Sequence, residues 1–130
     1  MNYTDVVKQV ERMCGKVIPL KSGWYQFIYH QLVFICISDP QNRYIRITIP
    51  HLTNSKSYQK GIIETAINEI NREVKYIKAV ILENGSVSLK YDHKFMGVEN
   101  ISKTVEHMIE TLSKAAKYFF IKLQQPKSFV

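Results

Sequence analysis

The sequence contains none of the familiar motifs that carry a reaction. There is no glycine-rich phosphate loop, no G-x-G-x-x-G, no H-E-x-x-H, no G-x-S-x-G and no C-x-x-C pair. The four histidines, His30, His51, His93 and His107, are scattered singly, whereas metal sites and catalytic bases draw on clustered groups. The two cysteines, Cys14 and Cys36, are too far apart for a metal motif. Both read as small buried apolar residues, and a disulfide is not expected in a reducing compartment. No cofactor and no metal is expected.

Long apolar runs are missing too. None reaches about 18 residues, so no helix is expected to span a membrane. Met1-Asn2-Tyr3-Thr4-Asp5 lacks the basic-then-apolar order of a signal peptide. The expected location is the cytoplasm. Acids are scarce, at 11 against 18 lysines and arginines, which leaves a net charge of +7. That balance permits nucleic acid or another anionic ligand as a partner. Arg43, Arg46, Lys56 and Lys60 occur in a stretch with no acid between residues 40 and 63, and they form the candidate anionic-ligand patch. Lys114, Lys117, Lys122 and Lys127 follow the last acid, Glu110, where they suit a helix C-terminus. No stretch matches the aromatic motif of RNA-binding sheets.

What the sequence does have is a folded chain's composition, 45% apolar and 22% charged. Its length suits one domain over residues 1–130, with a polar tail from about 124. The stretch from Trp24 to Ile49 organises the rest. Asp39-Pro40-Gln41-Asn42 reads as a turn. If Ser38 faces Arg43, alternation puts Leu32, Phe34, Cys36, Ile45, Ile47 and Ile49 on one wholly apolar face. A tight turn at His30-Gln31 adds Tyr25, Phe27 and Tyr29 to it, although His-Gln is a poor hairpin dipeptide. The alternative is one long bent strand.

The opposite face is mixed. Trp24, Ile28, Val33, Ile35, Ile37 and Tyr44 stand there beside Gln26, Arg46 and Thr48. A face turned wholly to water should be more polar. Either one of the chain's own helices covers it, or a second subunit or client chain does. The six apolar and aromatic residues are the candidate partner surface.

Around this centre, residues 4–14 read as an amphipathic helix capped by Thr4 and ended at Gly15. Lys16–Leu20 is a short extended piece whose Pro19 suggests a sheet edge. Pro50 is expected to end the central sheet. A second helix is expected over 57–72, striped by Tyr58, Ile62, Ala66 and Ile70 with Ile63 and Ile67. Asn84-Gly85 carries the two-residue hairpin signature. Pairing Glu83 with Ser86 would group Val80, Leu82, Val87 and Leu89 on one face. A long last helix is expected from Asn100 to near Leu123. A pocket beneath it, lined by Tyr91, His93 and Phe95, would serve a small-ligand binder or an enzyme whose site has no recognisable motif.

The expected class is α+β, in the order α-β-β-β-α-β-β-α, with an antiparallel sheet of about five strands. This order, the two turns and the long closing helix resemble the type III secretion chaperone-like fold, and bacterial YbjN-type domains are similar to it. The resemblance covers the chain from Tyr3 to Leu123. It implies a cytosolic, non-enzymatic domain, often dimeric, that binds another polypeptide. It supplies no catalytic residues. The basic charge is a departure, because secretion chaperones tend to be acidic.

Overall fold

A computed structural model describes residues 3–124, so the polar tail from 125 onward lies outside the described residues. Helix α1 (Tyr3–Cys14) leads into β1 (Val17–Lys21), β2 (Trp24–Tyr29), β3 (Leu32–Asp39) and β4 (Tyr44–Asn54). A 3-10 turn, Ser55–Ser57, precedes α2 (Lys60–Glu73). Then come β5 (Ile77–Ile81), β6 (Ser86–Lys94) and α3 (Ile101–Gln124). The class is α+β as expected. The sheet has six strands rather than five, all antiparallel, in the order β1-β2-β3-β4-β6-β5. The extra strand is the Pro19-bearing piece, which forms one edge.

All three described helices lie on one side of the sheet. α3 runs over β4, β6 and β5, α1 packs on β1 and β2, and α2 packs against β5, with α1 and α2 both flanking α3. The core between them holds Phe27, Phe34, Ile45, Ile47, Ile49 and Leu89 from the strands. From the helices come Val10, Ile63, Ile70, Val105, Met108, Leu112 and Phe119. Each such side chain contributes roughly 1.5–3 kcal/mol by leaving water. Cys36 is buried in this layer, and burial pushes its thiol up to about 12; Cys14 is partly buried and raised to about 11. Neither thiol ionises at neutral pH, so neither is a ready nucleophile.

Several local expectations need correction. The β3–β4 register pairs Asp39 with Tyr44 and Ser38 with Ile45, two residues from the expected pairing of Ser38 with Arg43. An even shift preserves the faces, so the sorting of residues survives. Pro50 does not end the strand. β4 continues to Asn54 through an irregularity between Ile49 and Thr53, where a residue without an N–H is tolerated. The Asn84-Gly85 hairpin is displaced by one. Ile81 pairs with Val87 and Ala79 with Leu89, so Ile77 and Ala79 face the core in place of Val80 and Leu82.

The reason is the loop type. Gly85 donates its N–H to the Leu82 carbonyl at 2.9 Å, and Leu82 donates to Ser86 at 2.8 Å. Gly85 has φ +89°, while Asn84 is not left-handed. This is a three-residue loop closed by a left-handed glycine, not a two-residue mirror-image turn.

Candidate functional site

The face of the sheet away from the helices carries the candidate partner surface. Its rows follow from the register. Trp24, Ile37, Arg46 and Asp92 lie side by side across β2, β3, β4 and β6. Gln26, Ile35, Thr48, Lys90 and Lys78 form the next row, across to β5. Ile28 stands opposite Val33. Tyr44 stands opposite Lys94. Of the two alternatives for this face, cover by an internal helix fails for the described residues, because every described helix packs on the other side. Ile28 remains 58% exposed and Val33 43%, whereas Phe27 and Phe34, their neighbours in sequence, are buried. Trp24, Ile35, Ile37 and Tyr44 are half-buried, shielded by their sheet neighbours.

The face divides into two halves. On β2 and β3 it is apolar apart from Gln26: Trp24, Ile28, Val33, Ile35 and Ile37, joined by the exposed Ile18 of β1 opposite Gln26. Ile18 escaped the sequence reading, although strand alternation from Pro19 would have placed it. On β4, β6 and β5 it is mainly polar and basic, with Lys78 directly opposite Lys90 and Val80 an apolar exception. Lys21 adds a cation at the apolar end, its Nζ 3.9 Å from the centre of the Trp24 ring. Arg46 and Asp92 neutralise each other through a two-pronged pair at 2.6 and 3.0 Å. Burial would raise the Asp92 carboxyl, but the hydrogen bonds from Arg46 and Tyr44 outweigh it and hold the group below its usual range. Burial, and then the bond to Asp92, pushes the Tyr44 phenol up. The Arg46 guanidinium is held charged by Asp92.

The structure does not gather the candidate anionic patch. Arg46 is committed to Asp92. Arg43 sits in the β3–β4 turn at one end of β4, and Lys56 lies in the 3-10 turn beyond its other end. Lys60 opens α2 and stands 3.9 Å from Glu64. Of the residues proposed to line a pocket under the last helix, Tyr91 and His93 do border a cleft, while Phe95 is buried in the core. Among the described residues no group of histidine, cysteine or acidic side chains is placed to hold a metal ion. Nor is any described helix long and apolar enough to cross a membrane.

The two sheet edges are blunted against further strands by different means. β1 carries Pro19, which has no N–H to offer, and an irregularity next to it. On β5, the Asn71 side chain of α2 occupies the backbone of Ala79. Its Oδ1 accepts the Ala79 N–H at 2.7 Å, and its Nδ2 donates to the Ala79 carbonyl at 3.0 Å. At Ala79 a carboxamide thus takes the place of a seventh strand, a contact with no periodic sign in the sequence.

No protein-family model matches the sequence, and no curated protein matches it. Solved structures do. The chain superposes on a chain from the crystal structure of the ExsC–ExsE complex with a TM-score of 0.69 at 12% identity, covering 97% of this chain and 94% of that one. It superposes on an uncharacterized protein from Methanothermobacter thermautotrophicus with a TM-score of 0.66 at 15% identity, covering 95% and 97%. A chain of the HopA1–SchA chaperone–effector complex gives 0.60 at 9% identity, covering 92% and 97%. The fold is therefore type III secretion chaperone-like, as the element order implied. Identities this low carry the fold and no residue roles. The similarity to YbjN-type domains remains an expectation.

Proposed function

We propose that this chain is a non-enzymatic polypeptide-binding module, chaperone-like in action, and that its partner docks on the open sheet face. The observation that carries the reading is the in-register apolar stripe Trp24, Ile28, Val33, Ile35 and Ile37, which no described helix covers. Contiguous exposed apolar surface of this kind marks interaction sites. The fold's occurrence in a chaperone–effector complex agrees with it. Because both edges are blunted, at Pro19 and at Ala79, a partner laid across the face is favoured over one that extends the sheet. Its chemistry follows from the two halves: an amphipathic segment with an apolar stripe for β2 and β3, and acidic residues for Lys78, Lys90 and Lys94. A homodimer through this face is the weaker choice, because a second copy brings the same lysines against like charge. The cytoplasm, as read from the sequence, is the proposed location.

The test pairs two neighbours that point to opposite faces. Ile35→Lys should leave the chain folded, since a charge on an open face stays solvated, and should abolish binding of a synthetic acidic amphipathic peptide. Phe34→Ala should instead destabilise the fold by about 3–5 kcal/mol. Thermal melts and a fluorescence titration read both. If Ile35→Lys unfolds the chain as badly as Phe34→Ala, or binds the peptide as the parent does, the open-face reading is wrong. Concentration-dependent light scattering that Ile35→Lys abolishes would replace the peptide by a second copy.

A further inference from the structure

A second feature lies on the helix side of the sheet, where a cleft of about 420 Å³ opens between the start of α3 and the β5–β6 edge. Tyr91 of β6 forms its floor. Tyr76, in the connection between α2 and β5, stacks on Tyr91 with centroids 5.5 Å apart and planes 18° apart. His107 of α3 meets both rings edge-on, at 6.2 and 5.9 Å. Three rings thus converge on one concave surface.

The backbone that holds this wall is strained. Tyr76 has φ +71°, in the left-handed region that bulky residues rarely enter. Yet the residue is 68% exposed, so little core packing is gained in return. A strained backbone that presents an exposed ring points to a site rather than to stability. The rim adds polarity of one sign. Asp92 is bonded to Arg46 and His93 to Glu99, which leaves Lys103 as a cation with no ion-pair partner among the described residues. Beside it, Asn100 Oδ1 accepts the Lys103 N–H at 3.0 Å and orders the first turn of α3.

We propose that this cleft binds an aromatic ring bearing a single carboxylate, with the ring stacked on the face of Tyr76 that Tyr91 leaves open and the carboxylate at Lys103. One uncommitted cation beside a helix start suits a monoanion, and the ring cluster offers both stacked and edge-on geometry. The same chemistry is presented by a free aryl acid and by an aromatic residue next to an acidic one in a peptide. The site shares no residue with the apolar stripe, so it stands whether or not that face binds a polypeptide.

Three probes separate the sources in an NMR titration of the full chain: N-acetyltryptophan, its carboxamide, and acetyl-aspartyl-tryptophan amide. The free acid, the peptide or both should shift Tyr76, Tyr91, Lys103 and His107 saturably. The carboxamide should bind about tenfold more weakly, and Lys103→Gln should erase that difference. Tyr76→Phe should keep the affinity. Tyr76→Gly should lose about tenfold while melting at or above the parent, because glycine occupies this φ without strain. Saturation by the free acid assigns a small-molecule ligand, and saturation by the peptide alone assigns a polypeptide. Absence of saturable shifts with either carboxylate probe overturns the proposal. So does equal affinity for acid and carboxamide, or undiminished binding by Tyr76→Gly. Ile35→Lys should bind these probes as the parent does, which keeps this result apart from that of the open face.

Discussion

Glu99 shows how much one side chain can organise without belonging to any pattern. Its carboxylate accepts the Met96 N–H at 2.9 Å and the Val98 N–H at 3.3 Å, and it stands 2.9 Å from His93 Nε2. It thereby fixes the link between β6 and α3. The Met96 N–H first, and His93 next, favour the charged form and bring the carboxyl from 4.5 down to about 2. A folded-state value below the unfolded one adds stability above the unfolded value, and that stability drains away as the pH falls through the folded one. The link should therefore loosen between pH 4.5 and about 2. Hydrogen exchange should show Met96 and Val98 amides losing protection in that window, before the β4 and β6 amides do. Glu99→Gln should lower their protection already at neutral pH and remove the acid-dependent step. An unchanged acid step in Glu99→Gln would assign it to another carboxylate. Nothing in the sequence singled this residue out, because a lone acid before a helix cap has no period and no motif.

At the scale of elements, the turns decide what the strands present. The β2–β3 hairpin closes on His30 and Gln31 with φ +49° and +67°, so both are left-handed, as a mirror-image two-residue turn requires. His30 recovers some of the cost: its ring lies 3.9 Å from that of Tyr29, and its Nδ1 is 3.0 Å from Ser113 Oγ on α3. Gln31 shows no such return. Gln31→Gly should raise stability by about 1 kcal/mol, net of glycine's entropy. Gly85→Ala should act in the opposite sense. A Cβ there would stand 2.9 Å from Asn54 Oδ1, which already accepts the Lys56 N–H at 2.9 Å. A loss of about 1–2 kcal/mol is expected. Denaturant midpoints of the two variants check the signs, and two shifts in the same direction would refute this account of the turns.

These turns also mark how far the sequence could be read. Helix periods and strand alternation gave the element order except for the edge strand β1, the long closing helix and the two faces of β2, β3 and β4. They failed where an outcome hung on one residue of loop geometry. Asn-Gly serves two loop types, and the type chosen here reverses which residues of β5 face the core. Which side the helices would take was not legible either. Helix stripes and sheet faces are each apolar, and only their assembly shows that all three helices choose one side and leave Trp24, Ile35 and Ile37 outside. The Asn71 lock on β5 was equally hidden, being a tertiary contact between a helix and a strand edge.

For the molecule as a whole, the question left by composition is what the +7 charge does. Strong phosphate binding needs several uncommitted cations on one surface. Arg43 and Lys56 are instead separated by β4, a strand of 11 residues, which is roughly 35 Å at ordinary strand rise. Arg46 is tied to Asp92 and Lys60 faces Glu64. The cations that do share a surface, Lys78, Lys90 and Lys94, sit beside the apolar stripe, which suits an amphipathic polypeptide better than a phosphate backbone. Binding to mixed oligonucleotides should therefore be weak. The slope of log K against log salt should be about 2 in magnitude, far below the value of about 6 or more for a dedicated surface. Arg43→Ala and Lys56→Ala should act additively, being too far apart to share a phosphate group. A steep slope, or strong coupling between these two substitutions, would instead show that they converge on one ligand. The charge would then belong to nucleic-acid recognition rather than to the recognition of an acidic chain.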